Sequence, residues 1–404
     1  MDPIEVATAR QLAVAAAPMA SVTETVPLAA SLGRICATNV FALSPSPPFA
    51  NSAMDGIALR HRDANDVLPV SDTVLAGHSI ASLPLGHCMK IMTGAPVPDG
   101  ADAVVARETI EFVDNQARIS GEVRHGQNIR PAGEDFALGD TVVGKGAMIG
   151  VSHQAALAAT GHHQVQVFAR PNVGLLTTGA ELVSPGGKLI PGSIYDSNSI
   201  MMASIIQAAG ATVSHYRVGD DAQSTRRLAQ ELTAKHDAVV SVGGVSVGEA
   251  DVVKDVVSEL GQLKLWRIMM KPGKPFMLGE VNGRPWYGLP GNPVSSLICF
   301  LMIVLPAIWR LQGREQSFPS GLPARLQMPV RKRTPRLEYQ RGQWTRDGDR
   351  LNVRPVSAQG SGQLSGLSSA DCLIELAANT YEFDAGAVVT IYPFCHLMPG
   401  NAHV

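Results

Sequence analysis

The chain has 404 residues, 45% of them hydrophobic and 17% charged, with a formal net charge of -2. That is an ordinary globular composition, large enough for a sizeable core and, by length, for about two to four domains. It excludes a basic whole-chain nucleic-acid binder, so any attraction for anions must be local.

The five cysteines, Cys36, Cys88, Cys299, Cys372 and Cys395, are scattered and form no CxxC. This argues against a disulfide framework or a structural zinc site. The opening MDPIEVATAR lacks the basic-then-apolar pattern of a signal peptide. The most apolar stretch, VSSLICFLMIVLPAIWRL, meets a proline too early for a membrane span and reads as a buried helix. A cytoplasmic protein without membrane or nucleic-acid partners is therefore expected.

In chain order, residues 1–20 read as helical. Residues 21–45 read as a short strand-and-helix segment ending in the proline-rich SPSPPF. Residues 46–145 are rich in Gly, Pro, Val and Asp with short alternating runs such as ADAVVARETIEFV, which predicts a β-rich domain. After Pro171 the character changes. NVGLLTTG, ATVSHYRVGD and DAVVSVGG read as strands, separated by the helical SNSIMMASIIQAAGA and DAQSTRRLAQELTAKH. Strands alternating with helices predict a parallel α/β sheet running to about residue 315. Residues 320–404, with runs such as DAGAVVTIYPF, read as a small β-barrel or sandwich.

Ligands of an open parallel sheet bind beyond the C-terminal strand ends. Three glycine-rich stretches fall there: TTGAEL (Thr177–Leu182), GGVSVGEAD (Gly243–Asp251) and GLPGNPVSS (Gly288–Ser296). Gly243 and Gly244 let the backbone approach a ligand, and N–H groups at a helix start attract anions. KPGKP (Lys271–Pro275) adds two ammonium groups on a stiff loop, because proline restricts itself and the residue before it. GxGxxG and GxxxxGK[ST] are both absent, which disfavours an ordinary NAD or ATP site. The pattern points to an anionic ligand. Each loop alone reads more simply as an ordinary strand-to-helix turn, and it is the three together with KPGKP that carry the reading.

Asp55 in NSAMDG, Asp135 in GED, Glu181 in TTGAEL, Asp220 in VGDD and Asp251 in GEAD are candidate oxygen ligands for Mg²⁺. Any of them taken singly reads more simply as a turn or helix cap. The adjacent His162 and His163 read as structural, and no Ser-His-Asp or Cys-His set is identifiable.

The segments PPFANSAMDGIAL, IMTGAPVPDGADAVV, NIRPAGEDFALGD, SVGGVSVGEAD, MKPGKPF, GLPGNPVSS and QGSGQLSGLSSADCLIEL together resemble the molybdopterin molybdenumtransferase family, which includes MoeA and the gephyrin E domain. The resemblance covers nearly the whole chain. It implies a multidomain α/β plus β fold. Residues 1–20 and 171–315 would form an α/β molybdopterin-binding domain resembling the molybdopterin adenylyltransferases. Residues 21–45 and 145–170 would form an elongated connecting domain, residues 46–144 a β-rich lid domain, and residues 320–404 a C-terminal β-barrel. The implied reaction is Mg²⁺-dependent hydrolysis of adenylylated molybdopterin with transfer of molybdate to the dithiolene, giving molybdenum cofactor and AMP.

The implied assembly is a homodimer with a site shared between subunits. A molybdopterin adenylyltransferase and downstream molybdoenzyme chaperones are the implied partners. Residue by residue, Lys271 and Lys274 would hold oxyanions, with Pro275 fixing their loop and Ser246 donating to the same region. Arg336 and Ser361 would complete a molybdate pocket. Asp220 and Asp251 would lie near the pterin phosphate and the metal. Glu181, Pro290 and Pro293 would line the groove, with Arg267 where many members carry lysine. Asp55, Thr93 and Asp135 would reach in from the partner subunit. Ile57 in place of the usual aromatic and Ala180 in place of an acidic residue depart from the pattern. The alternative is a non-catalytic molybdopterin-binding or scaffold paralogue.

Overall fold

The computed structural model describes residues 2–77, 79–219, 221–245, 252–314 and 318–397. The chain forms two compact units, Thr25–Val167 and the combination of Met1–Glu24 with Phe168–Val404.

In Thr25–Val167, a six-stranded sheet has the order Ala103–Ala106, Gly56–Leu59, Cys88–Ile91, Leu68–Val74, Gln116–Ile119, Ile110–Val113. Side chains alternate across a strand. Ile57 and Leu59 therefore enter one apolar cluster while Ala58 enters the other, and all three are buried. Gly56, the glycine of NSAMDG, is required here, since a Cβ would run into the carbonyl oxygen of Val105. A separate cluster around Cys36, Ile149, Leu157 and Val165 includes a helix over Val151–Ala159.

The larger unit is built on a sheet ordered Thr212–Val218, Asn172–Thr178, Ala238–Val242, Arg284–Leu289, Met277–Val281, Gly261–Trp266. The first four strands are parallel, as the βα alternation predicts. Met277–Val281 runs antiparallel to both its neighbours, so the sheet is mixed. The reason is local. Asn282 and Gly283 take φ of 53° and 72°, the left-handed pair of a tight two-residue hairpin, which returns the chain into Arg284–Leu289. Next to this sheet in sequence, five strands close on themselves. Leu337–Asp347 pairs with Arg350–Pro355, that with Leu322–Leu326, that with Val388–Pro393, that with Cys372–Leu376, and the last returns to Leu337–Asp347. This is a small β-barrel with Val353, Ile374 and Ile391 in its core.

The apolar stretch is helical over 19 residues, Pro293–Leu311, long and apolar enough to cross a membrane by composition, yet 94% buried in this fold. It passes through a π-helical turn, Phe300–Val304, and does not stop at Pro306. Proline offers no N–H to the carbonyl four residues back. Here that carbonyl belongs to Met302, and Arg10 Nε, from the helix Val6–Ala16, donates to it at 2.7 Å. The N-terminal helix is thereby tied to the core that it helps to build with Phe300, Ile303 and Ile308.

Arg10→Leu is expected to destabilise this unit by about 1–2 kcal/mol through the lost donor. Pro306→Ala, which restores an N–H at that position, should recover most of the loss. Urea unfolding of the two single variants and the double variant checks this coupling. Equal losses from Arg10→Leu in both backgrounds would contradict it.

Candidate functional site

The three glycine-rich stretches meet at the C-terminal strand ends. Gly243 and Gly244 follow Ala238–Val242 with φ of 91° and 66°, conformations that favour glycine. A Cβ on Gly243 would stand 2.7 Å from Thr178 Oγ1, and one on Gly291 would stand 3.9 Å from Gly243 Cα. The turns at Thr178, Gly243 and Gly291 are thus in mutual contact. Beside them lies a cleft of about 140 Å³ lined by Thr178, Glu181, Tyr195, Asn198, Asn292 and Pro293. Asn198 Nδ2 donates to the carbonyl of Gly291 at 2.7 Å, while its Oδ1 is buried without a hydrogen-bond partner. Asp196 caps the same helix, Ser197–Ala208, by accepting from Ser199 N at 2.9 Å. Glu181 is exposed at the cleft, Pro290 is buried behind it, and Pro293 occupies the first turn of the apolar helix, where its missing N–H is tolerated.

The KPGKP loop is held at both ends. Met270–Lys271 forms a short parallel ladder with Leu337–Glu338 of the barrel. Arg336 donates through Nη1 to the carbonyl of Met270 at 3.1 Å. Gly273, with φ of 109°, packs so tightly on Met270 and Cys299 that a side chain there has no room. Lys271 is about two-fifths exposed, and its Nζ lies 3.2 Å from both oxygens of Glu338, which is nearly fully buried. Lys274 is exposed and Pro275 half-buried. The carbonyl of Ser361 accepts from Val294 N at 3.0 Å, so the QGSGQ loop rests on the first turn of the apolar helix. Arg341, buried in the barrel, donates to Gly360 at 3.0 Å and steadies that loop. A continuous chain of contacts therefore joins Arg336, Lys271, the apolar helix and Ser361.

Arg267 takes φ of 80°, a strained conformation for a non-glycine residue. Its guanidinium stacks 3.9 Å from the ring centroid of Trp266, with Lys254 Nζ 4.4 Å from the same ring. Trp266 Nε1 donates to the carbonyl of Val245 at 3.1 Å. Two cations and an aromatic ring therefore stand at the entrance of the GGVSVGEAD stretch.

Asp55, Thr93 and Asp135 belong to the other unit. Thr93 donates to Asp55 Oδ1 through both its N–H and its Oγ1, each at 2.7 Å. The exposed Asp135 is fixed through its main chain, whose N–H donates to Ser46 at 2.9 Å. Asp220, Ser246 and Asp251 lie outside the described residues, and among the described residues no three His, Cys, Asp or Glu side chains gather at metal-binding distance.

Sequence reasoning missed Glu338, Lys332, Gln340 and Asn198. Glu338 and Lys332 sit in RKRTPRLEY, which reads as a solvated charged run. Glu338 is buried where its strand pairs with that of Lys271, 67 residues away, and the main chain of Lys332 is held by the carbonyl of Tyr381. Asn198 follows the cap residue in DSNS, a signal that was available.

The hydrogen bonds from Thr93, side chain first, hold the Asp55 carboxyl below the usual carboxylate range. Asp55 therefore stays ionised as pH falls, until its depressed value is reached. Thr93→Val should move the Asp55 midpoint upward, towards an ordinary aspartate, in a carboxyl-carbon NMR titration. An unchanged midpoint would contradict this.

Comparison with known proteins completes the assignment. Family profiles described as "MoeA N-terminal region (domain I and II)", "Probable molybdopterin binding domain" and "MoeA C-terminal region (domain IV)" match residues 4–161, 174–310 and 323–394. The molybdopterin molybdenumtransferase of Haemophilus influenzae is 36% identical over 391 residues, covering 94% of this chain and 96% of its own. Molybdopterin molybdenumtransferase 2 of Mycobacterium tuberculosis is 33% identical over 390 residues, covering 91% and 94%. The crystal structure of the molybdopterin biosynthesis MoeA protein of Pyrococcus horikoshii superposes with a TM-score of 0.83 at 31% identity, covering 97% of this chain and 99% of that one. With motifs, fold and full-length similarity in agreement, the chain belongs to the molybdopterin molybdenumtransferase (MoeA) family.

Proposed function

We propose that this protein is an enzyme that inserts molybdenum into molybdopterin, with molybdate as the substrate that supplies the metal. The observation that carries this reading is the junction of Lys271, Arg336 and the Ser361 loop beside the glycine-rich cleft. Molybdate is a tetrahedral dianion. Ammonium groups, a guanidinium and hydroxyl or N–H donors match both its charge and its shape. The cleft lined by Glu181, Asn198 and Asn292 offers the polar groups that a pterin edge needs.

The detailed reaction proposed is the one that the family resemblance implies. Water attacks the phosphoanhydride of adenylylated molybdopterin, AMP leaves, and the phosphate stays on the pterin. The two dithiolene sulfurs then replace an oxo ligand of molybdate, which leaves as water with the two thiol protons. Asp220 and Asp251 would hold Mg²⁺ by one or two carboxylates plus substrate phosphates, an arrangement that needs no three-residue protein cluster. Bound there, the ion would neutralise charge on the phosphoanhydride. Lys274 and Arg267 would steady the polyanionic substrate from the two sides of their loop, and Ser246 would donate to the anion.

We further propose the four-part division of the chain described under Sequence analysis, and a homodimer. In that dimer Asp55, Thr93 and Asp135 of one subunit would complete the site of the other. The proposed setting is cytoplasmic, with a molybdopterin adenylyltransferase delivering substrate and molybdoenzyme chaperones receiving product.

Reconstitution with adenylylated molybdopterin, Mg²⁺ and molybdate should release AMP and form molybdenum cofactor. Lys271→Ala and Asp251→Ala should each lower the rate by about 10²–10³-fold, the usual effect of removing one electrostatic contact to a transition state. Tight substrate binding without either product would refute the enzyme and leave a binding or scaffold protein.

A further inference from the structure

Lys271 does not face the proposed anion pocket alone. Its ammonium is held 3.2 Å from both oxygens of Glu338, whose side chain is only 6% exposed. Gln340 Nε2 donates to Glu338 Oε1 at 2.9 Å, and Glu338 Oε2 is buried with no hydrogen bond of its own. Lys332, also buried, donates to the carbonyl of Arg336 at 2.7 Å. Burial pushes the Lys332 ammonium down, Glu338 pulls it up and Lys271 pushes it down again, so the three charges sense one another. Lys271 and Lys332 therefore share one buried carboxylate, and Arg336 is tied to the same cluster through the carbonyl of Met270 and through its own carbonyl.

A carboxylate is an odd neighbour for an anion pocket. Its charge opposes any anion that approaches Lys271, and burying that charge carries a desolvation penalty that the pair with Lys271 offsets only in part. A neutral glutamine of the same shape would keep the bond from Gln340 and remove the negative charge, at the cost of turning an amide NH₂ towards the ammonium of Lys271. We propose that Glu338 is the counter-charge of the molybdate pocket: it aims the ammonium of Lys271, and its negative charge keeps the bound dianion loose enough to be passed on. The inference rests on the molybdate reading of this pocket.

The physical logic is that of differential binding. A pocket of three unopposed cations would hold a tetrahedral dianion too well in the ground state, and tight ground-state binding does not raise turnover. With Glu338 present, the pocket's formal charge of about +2 just matches that of a dianion. Glu338 touches Lys271 and not the reacting atoms, so its role is to position and to balance charge.

The test is calorimetric titration of sodium molybdate into the full-length parent and into E338Q, with turnover measured alongside. E338Q should bind molybdate roughly tenfold more tightly, the effect of removing one like charge near the anion. In reconstitution it should show a lower KM for molybdate together with a lower kcat. Glu338→Asp keeps the charge but draws it back from Lys271. It should leave affinity within about twofold of the parent while lowering kcat, and it answers the question alone if the glutamine variant does not fold.

Affinity in E338Q equal to or weaker than the parent's would overturn the inference, as would an aspartate variant identical to the parent in both readings. A parent that binds no molybdate overturns it as well. A parent that binds molybdate yet forms no cofactor refutes the transferase instead, and the calorimetric comparison still decides the role of Glu338.

Discussion

The two-residue ladder between Met270–Lys271 and Leu337–Glu338 is the constraint on which the proposed anion site depends. Without it, KPGKP would be one more loop at the edge of a sheet. With it, a lysine from the α/β segment and an arginine from the barrel are fixed within one hydrogen-bonded junction. Gly273 is what lets the loop lie this close to the apolar helix, since any side chain there would collide with Cys299 and Met270. The helix in turn carries the Ser361 loop on its first turn. Backbone pairing, one glycine and a buried helix thus place the polar groups before any ligand arrives, which is how a site avoids reorganising during reaction.

The same economy appears in the core. A helix of 19 residues that carries a proline in its interior should kink or stop. It continues because a π-helical turn precedes Pro306 and because Arg10 supplies a donor to Met302 from a helix almost 300 residues earlier in the chain. Tertiary contact overrides a local breaker here. The proposed site depends on the result, because this helix begins at Pro293, beside the glycine-rich loops.

Much of this was legible in the sequence. The βα alternation after Pro171 sets the four parallel strands, and the glycine-rich stretches fall at their C-terminal ends as the period predicts. The resemblance of the chain to one family, carried by segments such as MKPGKPF and GLPGNPVSS, singled out Lys271, Pro293 and Arg336, and the structure brings these into one neighbourhood. Other features could not be read. The antiparallel strand Met277–Val281 depends on Asn282 and Gly283 forming a tight hairpin, a signal present in the chain but short. Glu338 and Lys332 look like solvated charges in RKRTPRLEY, and only a long-range strand pairing shows that they are buried. Pro306 marks a helix end on every local rule, and Arg10 gives no local sign that it compensates.

The central claim is that the junction of Lys271, Arg336 and Ser361 receives a tetrahedral oxyanion. Its most direct measurement is anomalous diffraction from crystals soaked in tungstate, a heavier anion of the same shape and charge. The account predicts an anomalous peak within hydrogen-bonding distance of Lys271 and Arg336, lost in Lys271→Ala crystals soaked identically. Tungsten bound elsewhere in the fold, or retained unchanged without Lys271, would contradict it.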